Sequence, residues 1–129
     1  MFKKEITYTD YNGQQRTESF YFNLSKAELA ELQLTVEGGL QTYIQNIIDA
    51  KDGASMVKIF KDIILMSYGE KSLDGKRFIK SDEIRDGFAQ TEAYSNLFME
   101  LITDDKAAAE FINGILPSDL QTEPLSIAN

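Results

Sequence analysis

The sequence contains no cysteine and no histidine, has only two prolines, and carries thirteen basic side chains against twenty-one acidic ones. Without cysteine there is no disulfide and no thiol nucleophile. Without either residue there is no zinc site built on thiolate or imidazole, and no Ser-His-Asp triad. The absence of cysteine fits any compartment, but it removes the grounds for a secreted disulfide scaffold. Positive charge is also scarce, with a net charge of −8. Affinity for nucleic acid comes from Lys and Arg displacing counterions at phosphates, and acidic lipid surfaces recruit proteins by the same charges. Neither nucleic acid nor a membrane is therefore an expected partner. No apolar run approaches a membrane span, and the opening "MFKKEITYTD" lacks an apolar core of signal-peptide length. The chain is expected to be soluble and cytoplasmic.

What is present is globular composition. Apolar residues make up 43% of the 129 and charged residues 26%, too apolar for a disordered chain and enough for a real core. By length the chain is one domain.

The opening "ITYTDYNGQQRTESFYF" predicts a β-hairpin, because two runs rich in Thr, Tyr, Phe and Ile flank Asn-Gly. A two-residue loop at Asn12-Gly13 would pair Tyr8 with Thr17 and send Phe20 and Phe22 to the face opposite Ile6. A three-residue loop, Tyr11-Asn12-Gly13 with Gly13 left-handed, puts Ile6, Tyr8, Phe20 and Phe22 on one face. Burial decides between registers, since a one-residue slip flips every side chain, and it selects the three-residue loop.

Helices follow. Ser25 and Glu28 have the spacing of a capping box, with Leu24 and Leu29 as its hydrophobic staple. Gly38-Gly39 should end or interrupt this segment. Leu40, Tyr43, Ile44, Ile47 and Ile48 form the next amphipathic stripe, and "ASMVKIFKDIILMSYG" is apolar round most of the cylinder, which predicts a central helix ending near Gly69. Ser81 is an N-cap candidate followed by Asp82 and Glu83, with a break expected at Gly87. "TEAYSNLFMELIT" continues as helix, and a last one should run from Thr103 or Asp104 to Gly114. The expected fold is mainly α (α+β), about five helices with an N-terminal hairpin packed on them. A globular domain spans residues 1–116, with the hairpin at 4–22 and helices from about 25 to 114. Residues 117–129 form a flexible tail. The expected core is Ile6, Tyr8, Phe20, Phe22, Leu29, Ile44, Ile47, Ile48, Phe60, Ile63, Ile64, Leu97, Phe98, Leu101 and Phe111.

The stretch "YGEKSLDGKRFIKSDEIRDGF" invites a functional reading, which its spacing does not sustain. A phosphate loop needs four residues between its glycines and then Lys followed by Ser or Thr. Here five residues separate Gly69 from Gly75, and Arg77 follows Lys76. A calcium loop needs several acids before its glycine. The twelve residues "SLDGKRFIKSDE" offer only Asp74 before Gly75, and Lys76 and Arg77 would repel the ion. A tight turn at Asp74-Gly75, a short extended "RFI" and a helix cap at Ser81 account for the residues. No spacing selects a pair of carboxylates for acid–base work. No catalytic residue, no cofactor and no metal site is expected.

The succession "TYTDYNGQQRTESFYFNLSKAEL", "GGLQTYIQNII", "YGEKSLDGKRFIKS" and "QTEAYSNLFMEL…AAAEFINGILP" resembles small tail assembly chaperones of long-tailed (siphovirus-type) phages and prophages of Gram-positive bacteria. The likeness covers about Ile6 to Pro117. It implies a non-enzymatic protein of the host bacterial cytoplasm that binds the tape measure protein, keeps its long hydrophobic helices soluble and helps recruit tail tube subunits. Such proteins are absent from the finished virion, and many have a longer form made by ribosomal frameshifting. The resemblance transfers no site residue. From the residues themselves, candidate partner surfaces are the outer side of the apolar helix Ala54–Tyr68 and the tail residues Leu120, Leu125 and Ile127. A second copy of the chain would also cover such a patch, so a homo-oligomer is allowed for. The competing classes are a structural head–tail connector or minor virion protein, and a small phage protein that binds a host factor.

Overall fold

The computed structural model describes residues 1–35 and 53–117. The amphipathic stripe from Leu40 to Ile48, with its three expected core isoleucines, and the tail residues Leu120, Leu125 and Ile127 lie outside the described residues. In chain order the elements are β1 (Phe2–Thr9), β2 (Gln15–Phe22), α1 (Lys26–Thr35), α2 (Gly53–Ser67), β3 (Tyr68–Lys71), β4 (Phe78–Ile79), α3 (Asp82–Ala89), α4 (Glu92–Thr103) and α5 (Asp105–Ile115). The architecture is α+β, five helices among the described residues with the N-terminal hairpin packed against them, as the sequence predicts.

The hairpin has the predicted register. Ile6 lies opposite Glu18 and Tyr8 opposite Arg16, so even-numbered residues of both strands share one face. On that face Ile6 and Phe22 are buried, while Phe2, Tyr8 and Phe20 are half-buried against the core. Odd-numbered residues carry the polar outer face, where Thr7 and Thr17 meet at 2.9 Å between hydroxyl oxygens. The turn explains the register. The Gly13 N–H donates to Asp10 O at 3.0 Å, the Asp10 N–H donates to Gln14 O at 2.8 Å, and Gly13 has φ +82°. This is a type I turn closed by a left-handed glycine, whose twist suits the strands. The Asp10 carboxylate accepts from the N–H groups of Asn12 and Gln14 and from Arg16 Nε at 2.6 Å.

The sheet is larger than the hairpin, which the sequence does not predict. Helix α2 ends at Ser67, earlier than Gly69, and the chain passes directly into β3. Tyr68 then pairs with Phe22 and Gly69 with Tyr21, giving the order β1-β2-β3-β4. The switch has two causes. The Ser67 hydroxyl donates to the carbonyls of Ile63 and Ile64, capping the last turn, and Ser67 O accepts from the Asn23 N–H at 2.8 Å. Gly69 is needed for close approach, since a Cβ there would lie 2.7 Å from Phe78 Cε2 and 2.9 Å from Ile79 O. The β3–β4 turn is the expected one, centred on Asp74-Gly75. Asp74 Oδ1 accepts from the Ser72 hydroxyl and the Lys76 N–H.

The helices obey their capping chemistry. The Ser25 N–H donates to Glu28 Oε1 at 2.8 Å and the Glu28 N–H to Ser25 Oγ at 3.2 Å, a complete capping box. Ser81, Thr91 and Asp104 cap α3, α4 and α5. Helix α3 runs through Gly87, and the break comes at Gln90-Thr91. Glycine costs only about 1 kcal/mol in a helix, and burial of the next residue, Phe88, compensates.

One apolar cluster joins the layers. Its fully buried members include Phe22, Leu24, Phe60, Ile63, Ile64, Leu97, Phe111 and Ile115. Of the expected core, Tyr8, Phe20 and Phe98 are half-buried at its margin. An aromatic chain runs through it: Phe111 meets Phe22 edge-on at 5.2 Å, Phe22 meets Tyr68 at 5.7 Å, and Tyr68 stacks on Phe88 at 4.1 Å. Burial beside these rings pushes the Tyr68 hydroxyl up to about 12.

Candidate partner-binding surfaces

Tyr68 to Phe88, the stretch whose residue types most resemble a site, folds as β3, its turn, β4 and the capped start of α3. Its polar groups are consumed locally. Ser72 bonds Asp74 and the Arg77 N–H, and Ser81 caps α3. Lys80 leaves the stretch and donates at 2.7 Å both to Asn23 O and to Glu28 Oε2. Burial alone would raise the Glu28 pKa, but the Lys80 ammonium and the Ser25 N–H outweigh it and hold the carboxyl below its usual range. This cluster ties β4 to α1. Among the described residues no three acidic side chains converge as a metal site requires. None of their buried side-chain polar atoms lacks a hydrogen-bond partner.

Two surfaces remain, one on α2 and one on the sheet. Helix α2 is one-sided in the fold, with Ile59, Phe60, Ile63, Ile64 and Ser67 facing the core. Its outer side presents Lys58 and Lys61, with Val57 47% exposed next to them and Leu65 half-buried. The apolar helix predicted as a partner surface is therefore mostly covered, and its outer side is mixed in character. Where α2 meets α3, Leu65, Met66 and Tyr68 floor a groove of about 310 Å³ whose rim carries Glu28, Lys80, Asp82 and Arg85.

The second surface is a sheet edge. β3 pairs only with the last two residues of β2, Tyr21 and Phe22. Among the described residues, no strand lies beyond β2 from Gln15 to Phe20. Where β3 diverges, a groove of about 400 Å³ opens, lined by Glu18 to Tyr21 and Tyr68 to Lys71. On the core-facing side of this edge Glu18 accepts a hydrogen bond from the Tyr8 hydroxyl, which raises the Tyr8 pKa, and lies 3.7 Å from Arg16. At the hairpin tip Tyr11 is 77% exposed, and the nearby Glu92 carboxylate raises its pKa.

The opposite edge, β1, is guarded by α4. Asn96 Nδ2 donates to Thr7 O at 3.3 Å, and Lys4 Nζ reaches Glu100 at 3.1 Å. Sequence reasoning missed the β2 edge because it missed β3. No described helix is long and apolar enough to cross a membrane.

No curated protein and no solved structure matches the chain. A family model described as phage tail assembly chaperone matches residues 1–126, nearly the whole sequence. The chain therefore belongs to the phage tail assembly chaperone family.

Proposed function

We propose that this protein is a non-enzymatic chaperone of the host bacterial cytoplasm, which binds the tape measure protein of a long-tailed phage and helps recruit tail tube subunits. The observation that carries the reading is the family match over residues 1–126. The surface chemistry supports it. A protein that covers apolar clients must stay soluble while offering them apolar area, and a net charge of −8 serves the first need. The groove lined by Leu65 and Met66 serves the second, because an amphipathic helix can lay its apolar side there while charged residues rim the contact. Leu120, Leu125 and Ile127, outside the described residues, add to the client surface.

Co-expression with the tape measure protein tests this. That protein should be insoluble alone and should co-purify in soluble form with this chain. Replacing Leu65 with Glu should weaken the complex, and removing residues 117–129 measures the tail's share. A tape measure protein that stays insoluble, or that is soluble alone and ignores this chain in pull-downs, refutes the assignment. Stoichiometric recovery of the chain in purified virions would favour a head–tail connector.

A further inference from the structure

The geometry points to the edge of β2 that the described residues leave open as a self-complementary interface, on which a second copy of this chain adds its own β2 antiparallel about a two-fold axis at Thr17. Three observations carry it, and none depends on the tape measure reading.

The first is that the edge offers backbone groups in the right phase. The Asp10 N–H donates to Gln14 O across the hairpin, so the backbone groups of even-numbered β2 residues face β1 and those of odd-numbered ones face away. The Asn23 N–H, bonded to Ser67 O on the β3 side, confirms that phase. Gln15, Thr17 and Ser19 therefore turn their N–H and C=O groups to the open side, and all three residues are exposed.

The second is charge. Exposed edges are commonly protected by Lys, Pro, a bulge or charges on the core-facing side. Between Gln15 and Phe20 there is no Lys and no Pro, and the only charges are Arg16 and Glu18 on the core-facing side. Arg16 pairs with Asp10 and Glu18 with the Tyr8 hydroxyl inside the hairpin, yet both side chains keep water that a generic apolar strand would remove without replacing. A second β2 centred on Thr17 compensates them, because Arg16 then lies opposite Glu18 of the other copy and Glu18 opposite its Arg16. A shift by one pair in either direction puts Arg16 opposite Arg16 or Glu18 opposite Glu18. Like charges directly opposite are destabilising, so the charges select one register. In that register Gln15, Thr17 and Ser19 exchange about six backbone hydrogen bonds with their counterparts. Thr17 meets Thr17, extending the Thr7–Thr17 contact across four strands.

The third is space. In this register Gln15 of one copy lies opposite Ser19 of the other, and the next residues curl into the Asp10–Gln14 turn. Gln14 then falls opposite Phe20, so the partner's turn meets the groove of about 400 Å³ lined by Glu18 to Tyr21 and Tyr68 to Lys71.

Analytical ultracentrifugation of the full chain tests the assignment. The native chain should sediment as a species of twice 14.6 kDa that dissociates on dilution. Arg16→Glu and Glu18→Arg each place like charges opposite one another in the homodimer, and each alone should be monomeric. Mixed in equal amounts they should form a heterodimer, because every opposed pair is then of opposite sign. Thr17→Pro removes the central outward N–H without touching the β1 ladder, and it should be monomeric with an unchanged circular dichroism spectrum. It keeps the test decisive if a charge variant fails to fold. A native chain that is monomeric at about 100 μM would overturn the interface, that concentration being well above the micromolar range of ordinary specific contacts. So would a Thr17→Pro chain that still dimerises, or folded charge variants whose mixture stays monomeric.

Discussion

Phe60 and Val57 sit one turn apart on α2 and should respond to truncation in opposite ways. Phe60 is 0% exposed, in a cluster with Phe22, Ile63, Ile64 and Leu97, while Val57 is 47% exposed on the outer side. Phe60→Ala removes a ring from a site enclosed on all sides, so the lost transfer energy is joined by the cost of the cavity. The sum should be roughly 3–5 kcal/mol. Val57→Ala removes two methyl groups that are half in water already, and it should change stability by no more than about 0.5 kcal/mol, the range for surface sites. The assay is urea unfolding followed by circular dichroism at 222 nm, with midpoints compared at a common slope. Domains of this kind have total stabilities of about 5–15 kcal/mol, so Phe60→Ala removes a large share of the total. Phe60→Leu is the graded version and should cost about 1–2 kcal/mol. A loss below about 1 kcal/mol for Phe60→Ala, or a Val57→Ala loss approaching it, would refute the orientation of α2.

Two glycines separate backbone from steric cost. Gly13→Ala meets nothing within 4 Å but must hold φ +82°, so it should lose about 1 kcal/mol in the same melts and leave the sheet intact. Gly69→Ala has no such backbone demand, yet its Cβ would collide with the Phe78 ring and the Ile79 carbonyl, so a loss of about 1–3 kcal/mol is expected. Phe78→Ala in the same chain should recover only part of that loss, because the carbonyl remains. The Glu28 carboxyl has its folded pKa lowered, so the unfolded chain binds the extra proton as acid is added. Its contribution is present above the usual carboxylate range and fades as pH falls from about 5 towards the lowered value. Glu28→Gln should cost about 0.5–1 kcal/mol at pH 7 and flatten the loss between pH 5 and 3, measured as melting temperature against pH.

What the sequence discloses and what it conceals divide by the range of the interactions. The Ser25–Glu28 capping box and the Asp104 cap lie within a few residues of the groups they satisfy. The hairpin register was legible for a related reason, since only one loop length buries Ile6, Phe20 and Phe22 together. β3 was not legible. Tyr68 to Lys71 follows an apolar helical run without a break, and becomes strand through distant partners, Tyr21 and Phe22 on one side and Phe78 and Ile79 on the other. Gly69 looks like a helix stop when read locally, whereas the structure needs it for the approach of Phe78. Gly87 looks like a breaker, but the burial of Phe88 against Phe20, Phe22 and Tyr68 carries α3 through it.

The partner surfaces lie further from view, because binding another chain needs no local chemical signature. Arg16 and Glu18, read along the chain, are two charges on a strand otherwise apolar towards the core, and their simplest reading is solvation near the hairpin end. They gain another meaning once β3 is seen to leave β2 after two residues. An edge that is open needs protection from wrong partners, and charges on its core-facing side supply it. Two opposite charges spaced by one residue also make the strand complementary to itself in a single register. Two like charges at the same positions would protect the edge equally well and would exclude a second copy. The sign of residue 18 relative to residue 16 is therefore what separates an edge that only repels from one that also selects.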